Sequence, residues 1–157
     1  MQSLKQLGSP NLYTIHDTST MLEACRKMKQ INIRHLVILD VTGKLTGILS
    51  ERDIQRAMHQ LKVSEFDQIQ SISPEAKVAD YMTWPVCTIF STSTVETAAR
   101  QMLEQKISSL VVVSQDGSPE GIVTTDDILK CFLTDKSGFI PKKTLGRKIM
   151  SLVGKCD

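Results

Sequence analysis

The chain contains a sequence repeat, and this repeat constrains the fold more than any other feature. Residues 14–58 align without a gap with residues 88–132, and 16 of the 45 aligned positions are identical at a constant offset of 74. Such self-similarity indicates that one structural unit occurs twice. A unit of roughly 50 residues is only marginally stable alone, because it buries too small a share of its surface. The repeat therefore predicts two units that share one hydrophobic core.

Each copy has the pattern of a β-α-β-β-α unit. Thr20-x-x-Glu23 and Ser93-x-x-Glu96 are capping-box patterns, which predict the start of a helix in each copy. A continuous apolar run of four residues follows in each copy; it is too short for a helix and predicts a buried strand. A turn with glycine, a second short strand and a second helix complete the unit. Two such units are expected to pack sheet against sheet.

Composition excludes several classes of protein. Hydrophobic residues make up 41% of the 157 positions and charged residues 23%, which is ordinary for a globular protein, while the aromatic fraction of 4% predicts an aliphatic core. No stretch approaches the ~18 apolar residues of a membrane span, and the N-terminus lacks the apolar region of a secretory signal. Cys25, Cys87, Cys131 and Cys156 form no C-x-x-C pair. This spacing argues against a zinc site or a disulfide framework and predicts reduced thiols in a cytoplasmic protein.

One motif with binding chemistry occurs in both copies: a glycine, two apolar residues, a hydroxyl residue and, three positions later, an aspartate. The hydroxyl residues are Ser50 and Thr124, and the aspartates are Asp53 and Asp127. At a helix N-terminus the free N–H groups suit a phosphate, and a carboxylate can accept two ribose hydroxyls. The same residues are also favoured as helix caps that need no ligand. The recurrence of the pair, together with the other motifs considered next, favours ligand binding.

These motifs resemble those of a known domain. The run from Val78 to Thr83, followed by Pro85-Val86, resembles the D-x-M-T-x-x-V start of a cystathionine β-synthase (CBS) domain, and 47–54 and 121–128 resemble its second signature. The resemblance implies an α/β (α+β) fold of two repeats packed sheet to sheet with pseudo-twofold symmetry. The expected boundaries are 8–60 for repeat one, 61–77 for a linker, 78–133 for repeat two and 134–157 for a C-terminal helical tail.

The resemblance also implies a function. Pairs of CBS domains act as non-catalytic regulatory modules that bind an adenosyl ligand, such as AMP, ADP, ATP or S-adenosylmethionine, in clefts between the repeats and signal to a partner. They commonly form homodimers, so a homodimer is expected here. The sequence has no GxSxG, P-loop or HExxH motif, and it predicts neither catalysis nor a metal or cofactor beyond the ligand.

By the resemblance, each site combines the motif of one repeat with two segments of the other. The first site would contain Ser50, Arg52, Asp53, Thr83, Val86, Cys87, Ile107, Ser108 and Ser109. The second would contain Asn11, Leu12, Tyr13, Ile33, Arg34, His35, Thr124 and Asp127. Backbone groups before the first strand of each repeat would contact the adenine edge, with Val86 or Leu12 as the apolar contact.

The charged residues near the predicted sites allow two interpretations of phosphate binding. Arg34 and His35 could bind a phosphate, or Arg34 could be a solvated charge at a strand edge and His35 a structural residue. Asp126 stands near them in the second site, and its carboxylate would oppose an anion. The first site has Arg52, but its opposing positions are Ser108 and Ser109. Neither predicted site is therefore clearly favoured.

The C-terminal segment differs in charge from the rest of the chain. Residues 130–157 hold seven basic and two acidic residues, a net charge of +5, whereas the other 129 residues have a net charge of −3. Leu145, Ile149, Leu152 and Val153 share one face of a predicted helix. The segment either packs on the repeat pair or a dimer mate, or contacts nucleic acid, a membrane or another protein. Two alternative functions therefore remain: an interaction module with degenerate ligand sites, and a nucleic-acid adaptor.

Overall fold

A computed structural model describes residues 3–4, 12–59 and 72–134. The first repeat consists of β1 (Thr14–His16), α1 (Met21–Ile31), β2 (His35–Leu39), β3 (Leu45–Ser50) and α2 (Glu51–His59). A short helix, α3 (Val78–Tyr81), precedes the second repeat. The second repeat consists of β4 (Thr88–Phe90), α4 (Val95–Gln105), β5 (Ser109–Val113), β6 (Pro119–Thr124) and α5 (Thr125–Thr134). The predicted β-α-β-β-α order is confirmed in both copies, and the predicted helical tail lies outside the described residues.

The two repeats have the same sheet topology. In each three-stranded sheet the middle strand pairs in parallel with the first strand and antiparallel with the third. The register also repeats, since His35 pairs with Ser50 in one sheet and Ser109 pairs with Thr124 in the other. The pairing register also shifts near the end of the middle strand, between Ile38 and Leu39 in the first sheet and between the equivalent Val112 and Val113 in the second. The offset of 74 in the sequence therefore relates two equivalent backbones.

The helix caps confirm one sequence prediction and correct another. The N–H of Thr20 donates to the Glu23 carboxylate at 2.7 Å, and the N–H of Glu23 donates to the Thr20 hydroxyl at 3.2 Å. This is the predicted capping box, and the hydrogen bonds from Thr20 lower the pKa of Glu23. The prediction of Ser93-x-x-Glu96 for the second copy was wrong.

The cap of α4 is one residue later. Thr94 precedes the helix, and its side chain accepts a hydrogen bond from the N–H of Thr97 at 3.1 Å. Thr94 is the residue that aligns with Thr20, whereas the N–H of Ser93 donates to the carbonyl of Phe90 in the preceding turn. The capping position is therefore set by the repeat register, which the Ser-x-x-Glu pattern obscured.

The alternation of side chains along the middle strands places the two sheets face to face. Leu36 and Ile38 of β2 are fully buried among the helices of repeat one. Val37, between them, belongs to a different cluster, which also contains Val111 and Val113 of β5. Successive side chains of a strand point to opposite faces. Each sheet therefore packs helices on one face and the other sheet on its second face, as predicted.

The segment before each repeat packs on the core of the other repeat. Val78 of α3 lies just ahead of the second repeat, yet it is fully buried in the core of the first, together with Ile72. Leu4 lies ahead of the first repeat and is buried in the core of the second. Because each preceding segment packs on the other repeat, it adds a second contact between the repeats besides the one between their sheets. No helix in the described ranges is long and apolar enough to cross a membrane.

Replacing the equivalent residues Leu36 and Leu110 by alanine should lower the free energy of unfolding by about 2–5 kcal/mol each. Both side chains are fully buried. Because the sheets share an apolar interface, each variant should still unfold in one transition, shifted as a whole, in denaturant titrations. Val41→Ala removes a side chain that is 81% exposed and should change stability by less than about 0.5 kcal/mol. Two separate transitions, with only one shifted, would contradict a shared core.

Candidate functional site

A cleft with a volume of about 340 Å³ lies between the repeats, where β3 and β6 end and α2 and α5 begin. This volume is within the range of about 300–1,000 Å³ of small-molecule pockets. The lining includes most residues predicted for the first site: Ser50, Arg52, Asp53, Thr83, Cys87, Ile107, Ser108 and Ser109. It also includes three residues predicted for the second site: Arg34, His35 and Thr124. The structure thus brings residues of both predicted sites to one cleft.

The other predicted residues lie elsewhere. Leu12 and Val86 pack against the apolar cluster between the sheets, so their side chains are not at this cleft. Tyr13 and Ile33 pack against the core of repeat one. Asn11 lies outside the described residues. The apolar contact that the family resemblance assigned to an adenine is therefore used, in this structure, for packing the two sheets.

Ser50 and Asp53 form a helix cap at the start of α2. The N–H and the hydroxyl of Ser50 both donate to the same carboxylate oxygen, Oδ2 of Asp53, at 2.7 Å. The second carboxylate oxygen forms an ion pair with Arg56 at 3.1 Å. Asp53 is only 6% exposed, and it is the one buried charged residue among those described. A ribose hydroxyl bound here would have to share a carboxylate that already has three donors.

The second copy repeats this arrangement more openly. The N–H and hydroxyl of Thr124 donate to Oδ2 of Asp127 at 3.0 and 2.6 Å, and the N–H of Asp127 donates back to the hydroxyl at 3.4 Å. The other oxygen of Asp127 lies 3.7 Å from the Lys130 ammonium, and the Asp127 side chain is 39% exposed. Asp127 does not line the cleft. The motif thus acts as a cap in both repeats, and its role in ligand binding stays a prediction.

An ion pair crosses from one repeat to the other at the cleft. The guanidinium of Arg34 binds the carboxylate of Asp126, and both residues line the cleft. From the sequence, the Asp126 carboxylate was expected to repel an anion, but in the structure its negative charge is offset by the positive charge of Arg34. Because the two side chains are 58% and 50% exposed, the pair contributes little to stability, about 0–1 kcal/mol. It is therefore a contact that a bound anion can displace.

His35 is a titratable group in this cleft. Burial lowers its pKa, and the neighbouring Arg34 and Arg52 guanidinium groups lower it further, against the opposing effect of Asp53 and Asp126. The imidazole is thus held in its neutral form next to the cap of α2, since His35 pairs with Ser50 in the sheet. A neutral imidazole can donate one hydrogen bond and accept another.

Sequence reasoning missed Lys106 as a cleft residue. Lys106 ends α4 in the left-handed conformation, with φ of 55°, and it aligns with Asn32, which ends α1 with φ of 56°. The lysine lines the cleft beside Ser108 and Ser109. The predicted absence of a cation opposite Arg52 was therefore wrong. The sequence did contain a signal for this residue. Lys106 stands one position before the predicted segment 107–109, where the first copy has Asn32.

Other lining residues were also absent from the prediction. They are Ile48, Glu51, Pro85 and Thr125, while Asp126, which was expected near the second site, also lines the cleft. Glu51, Thr125 and Asp126 belong to the first turns of α2 and α5, so the motif that predicted a ligand at these helix starts indicated their position.

The segment before β4 packs closely on the first sheet. A Cβ atom added to Gly47 would lie 2.4 Å from the sulfur of Met82, so the glycine admits this side chain. The N–H and the carbonyl of Thr83 are both bonded to Ile48, at 2.9 and 3.2 Å, and the carbonyl of Cys87 accepts from Val111 at 3.1 Å. These backbone groups, expected at an adenine edge, are already paired. At Gly47 the space left by the missing side chain is therefore used by the protein itself.

The described part of the chain contains no cluster of three or more His, Cys, Asp or Glu side chains that could hold a metal ion. Cys25, Cys87 and Cys131 form no disulfide bond within the described residues, and Cys156 lies outside the described residues. Burial raises the pKa of the Cys25 thiol, because the thiolate would be desolvated in the core of repeat one.

The comparisons with known proteins agree with the geometry. The family model described as CBS domain matches the chain twice, at residues 4–60 and 78–134. The solved CBS domain pair of protein MJ0100, in complex with 5′-methylthioadenosine and S-adenosyl-L-methionine, is 30% identical. It superposes with a TM-score of 0.71 over 84% of this chain and 96% of that chain. A CBS domain-containing protein from Dictyostelium discoideum is 30% identical over 80% of this chain and 88% of its own length.

Several curated relatives are longer proteins. L-aspartate semialdehyde sulfurtransferase from Methanocaldococcus jannaschii is 31% identical over 82% of this chain but only 23% of its own length. The chain spans less than a third of the length of several such relatives. The similarity therefore covers one module of those proteins rather than the whole.

The His35 environment predicts a pH dependence of stability. Because the pKa of His35 is below its usual value of 6.5 in the folded protein, the unfolded chain binds a proton more readily. Stability should therefore decrease as the pH falls from about 7.5 to about 5.5. His35→Gln should reduce this slope in urea unfolding measured across that range. His16→Gln, which removes an exposed imidazole, is the matched control. Equal slopes for the wild type and His35→Gln would contradict the prediction.

Proposed function

Because the chain belongs to the CBS domain family, whose tandem pairs are generally regulatory and non-catalytic modules, we propose that it is itself a non-catalytic sensor. Its ligand is an adenosyl compound that carries phosphate, bound in the cleft between the repeats, and the bound state is read by a partner protein. The complex of the MJ0100 pair with two adenosyl compounds supports the ligand class.

The observation that carries this proposal is the pair of cations, Arg52 and Lys106, at the cleft. Both side chains are exposed and line the cleft from opposite repeats. Within the described residues, neither makes an ion pair or a side-chain hydrogen bond. The starts of α2 and α5 add partial positive charge nearby. A phosphate would pair with both cations, whereas an uncharged ligand would leave them without an ionic partner.

The contact between Arg34 and Asp126 suggests how binding is transmitted. This exposed ion pair joins the repeats at the rim of the cleft. A phosphate that binds Arg34 replaces the carboxylate of Asp126 as its partner, which removes one link between the repeats. The ligand then favours a different relative position of the repeats, because it binds the two positions with different affinity. A homodimer, expected from the family resemblance, and a cytoplasmic location, expected from the cysteine spacing, are also part of the proposal.

The proposal predicts that adenosyl compounds stabilise the folded protein. AMP, ADP, ATP, S-adenosylmethionine and 5′-methylthioadenosine are compared by thermal unfolding of the full chain. A ligand present at 100 times its Kd adds about 2.7 kcal/mol to the free energy of unfolding, so the midpoint should rise with AMP, ADP or ATP. The absence of any rise at millimolar concentration would contradict the proposal and favour an interaction module with degenerate sites.

A second prediction concerns the two cations. Arg52→Gln and Lys106→Gln should each weaken nucleotide binding about 5- to 10-fold, since each removes one charge-assisted contact worth about 1–1.4 kcal/mol. Isothermal titration of each variant gives the change in Kd. Lys44→Gln is the matched control, because Lys44 is exposed in the turn between β2 and β3 and does not line the cleft.

The outcomes separate phosphate from sulfonium ligands. Equal affinity of the wild type, Arg52→Gln and Lys106→Gln for nucleotides would show that these cations do not bind phosphate. If S-adenosylmethionine binds and no nucleotide does, the ligand is still an adenosyl compound, but the proposal that it carries a phosphate is overturned.

A further inference from the structure

The second repeat exposes an apolar face that the first repeat lacks. On α5, Leu129, Phe132 and Leu133 are 62%, 68% and 50% exposed. They lie at positions i, i+3 and i+4, which share one side of a helix. On α4, which packs beside α5, Leu103 is 80% exposed. Large apolar side chains grouped on a surface indicate a contact with another segment or molecule.

The first repeat provides an internal control for this face. The residues at the same positions, 74 earlier, are Lys29, Gln55, Met58 and His59. Three of these four are polar or charged, although the backbone of the two repeats is equivalent. The fold itself therefore does not require leucine or phenylalanine at these places. We therefore attribute these exposed apolar side chains to a segment or molecule that contacts only the second repeat.

The chain immediately after α5 has the complementary chemistry. Residues 78–134 hold seven acidic and three basic residues, a net charge of −4, whereas residues 135–157 hold six basic and two acidic residues, a net charge of +4. Residues 12–59 carry seven basic and five acidic residues, a net charge of +2. A basic segment is therefore attracted to the second repeat rather than to the first.

The apolar residues of this segment and the length before them also fit. Leu145, Ile149, Leu152 and Val153 recur at the spacing of one helical face. Ten residues, 135–144, connect them to the end of α5. A chain of this length spans up to about 35 Å when extended, more than the roughly 15 Å length of a ten-residue helix. The segment can therefore turn back and lie along α5.

We propose that residues 145–153 form an amphipathic helix that covers the apolar face of Leu103, Leu129, Phe132 and Leu133 in the same chain. The short connection keeps the helix at a high effective concentration next to that face. The C-terminal segment is then an intramolecular cover of the second repeat, and its net positive charge complements the net negative charge of that repeat.

Limited trypsin digestion of the full chain tests this contact. Cleavage after Lys142, Lys143, Arg147 and Lys148 is followed by mass spectrometry. Leu129→Ser or Phe132→Ser should accelerate it by about tenfold, the ratio that corresponds to 1.4 kcal/mol. Both side chains are exposed, so these variants should fold normally. Gln55→Ser, at the position in repeat one that matches Leu129, is the control and should cleave at the wild-type rate. Cleavage of both face variants at that rate would overturn the proposal.

The reverse substitution identifies the occupant of the face. Ile149→Ser combined with Leu152→Ser should increase amide hydrogen exchange across 125–133, at a rate that does not depend on protein concentration. If the face is instead a dimer interface, Phe132→Ser will convert a dimer to a monomer in light scattering, and the double variant will leave exchange in α5 unchanged. That pair of results would assign the face to a second copy and overturn the intramolecular cover.

Discussion

The apolar contact between the two sheets is the interaction on which the rest of the structure depends. Val37 of β2 and Val111 of β5 are buried between the sheets, while the residues on either side of them pack under the helices of their own repeats. One strand thus supplies both a local core and the contact between repeats. A half of roughly 50 residues would bury only enough surface to be marginally stable alone. The same contact holds the ends of β3 and β6 together, and these ends form the cleft.

The cleft is built from elements that each have a structural role. Asp53 and Asp127 cap α2 and α5, Gly47 admits Met82, and Leu12 and Val86 fill the contact between the sheets. Their presence is explained by folding alone. The side chains that folding does not explain are the exposed cations Arg52 and Lys106. These two residues, rather than the more recognisable motif, therefore support an anionic ligand.

Differences between the copies carry more functional information than the identities. The identical positions include buried residues and the glycines of the turns, where Gly43 and Gly117 have φ of 82° and 84°, and they specify the common backbone. Arg52 aligns with Asp126, and Lys106 aligns with Asn32. These substitutions give the two halves of the cleft different charges. Leu129 in place of Gln55 likewise gives only the second repeat an apolar outer face.

The sequence by itself determined the repeat, its element order, the face-to-face sheets and most of the residues at the cleft. The first three depend on local periodicity and on the offset of 74, which a single chain displays, whereas most of the cleft residues were predicted from the resemblance to the CBS family. Tertiary structure decided which residues meet across the repeats. The pairing of Arg34 with Asp126 joins residues 92 positions apart. Val78 is buried in the core of the first repeat, although it lies just before the second repeat in the sequence. Contacts between distant residues have no local pattern, because they are fixed only when the two sheets pack.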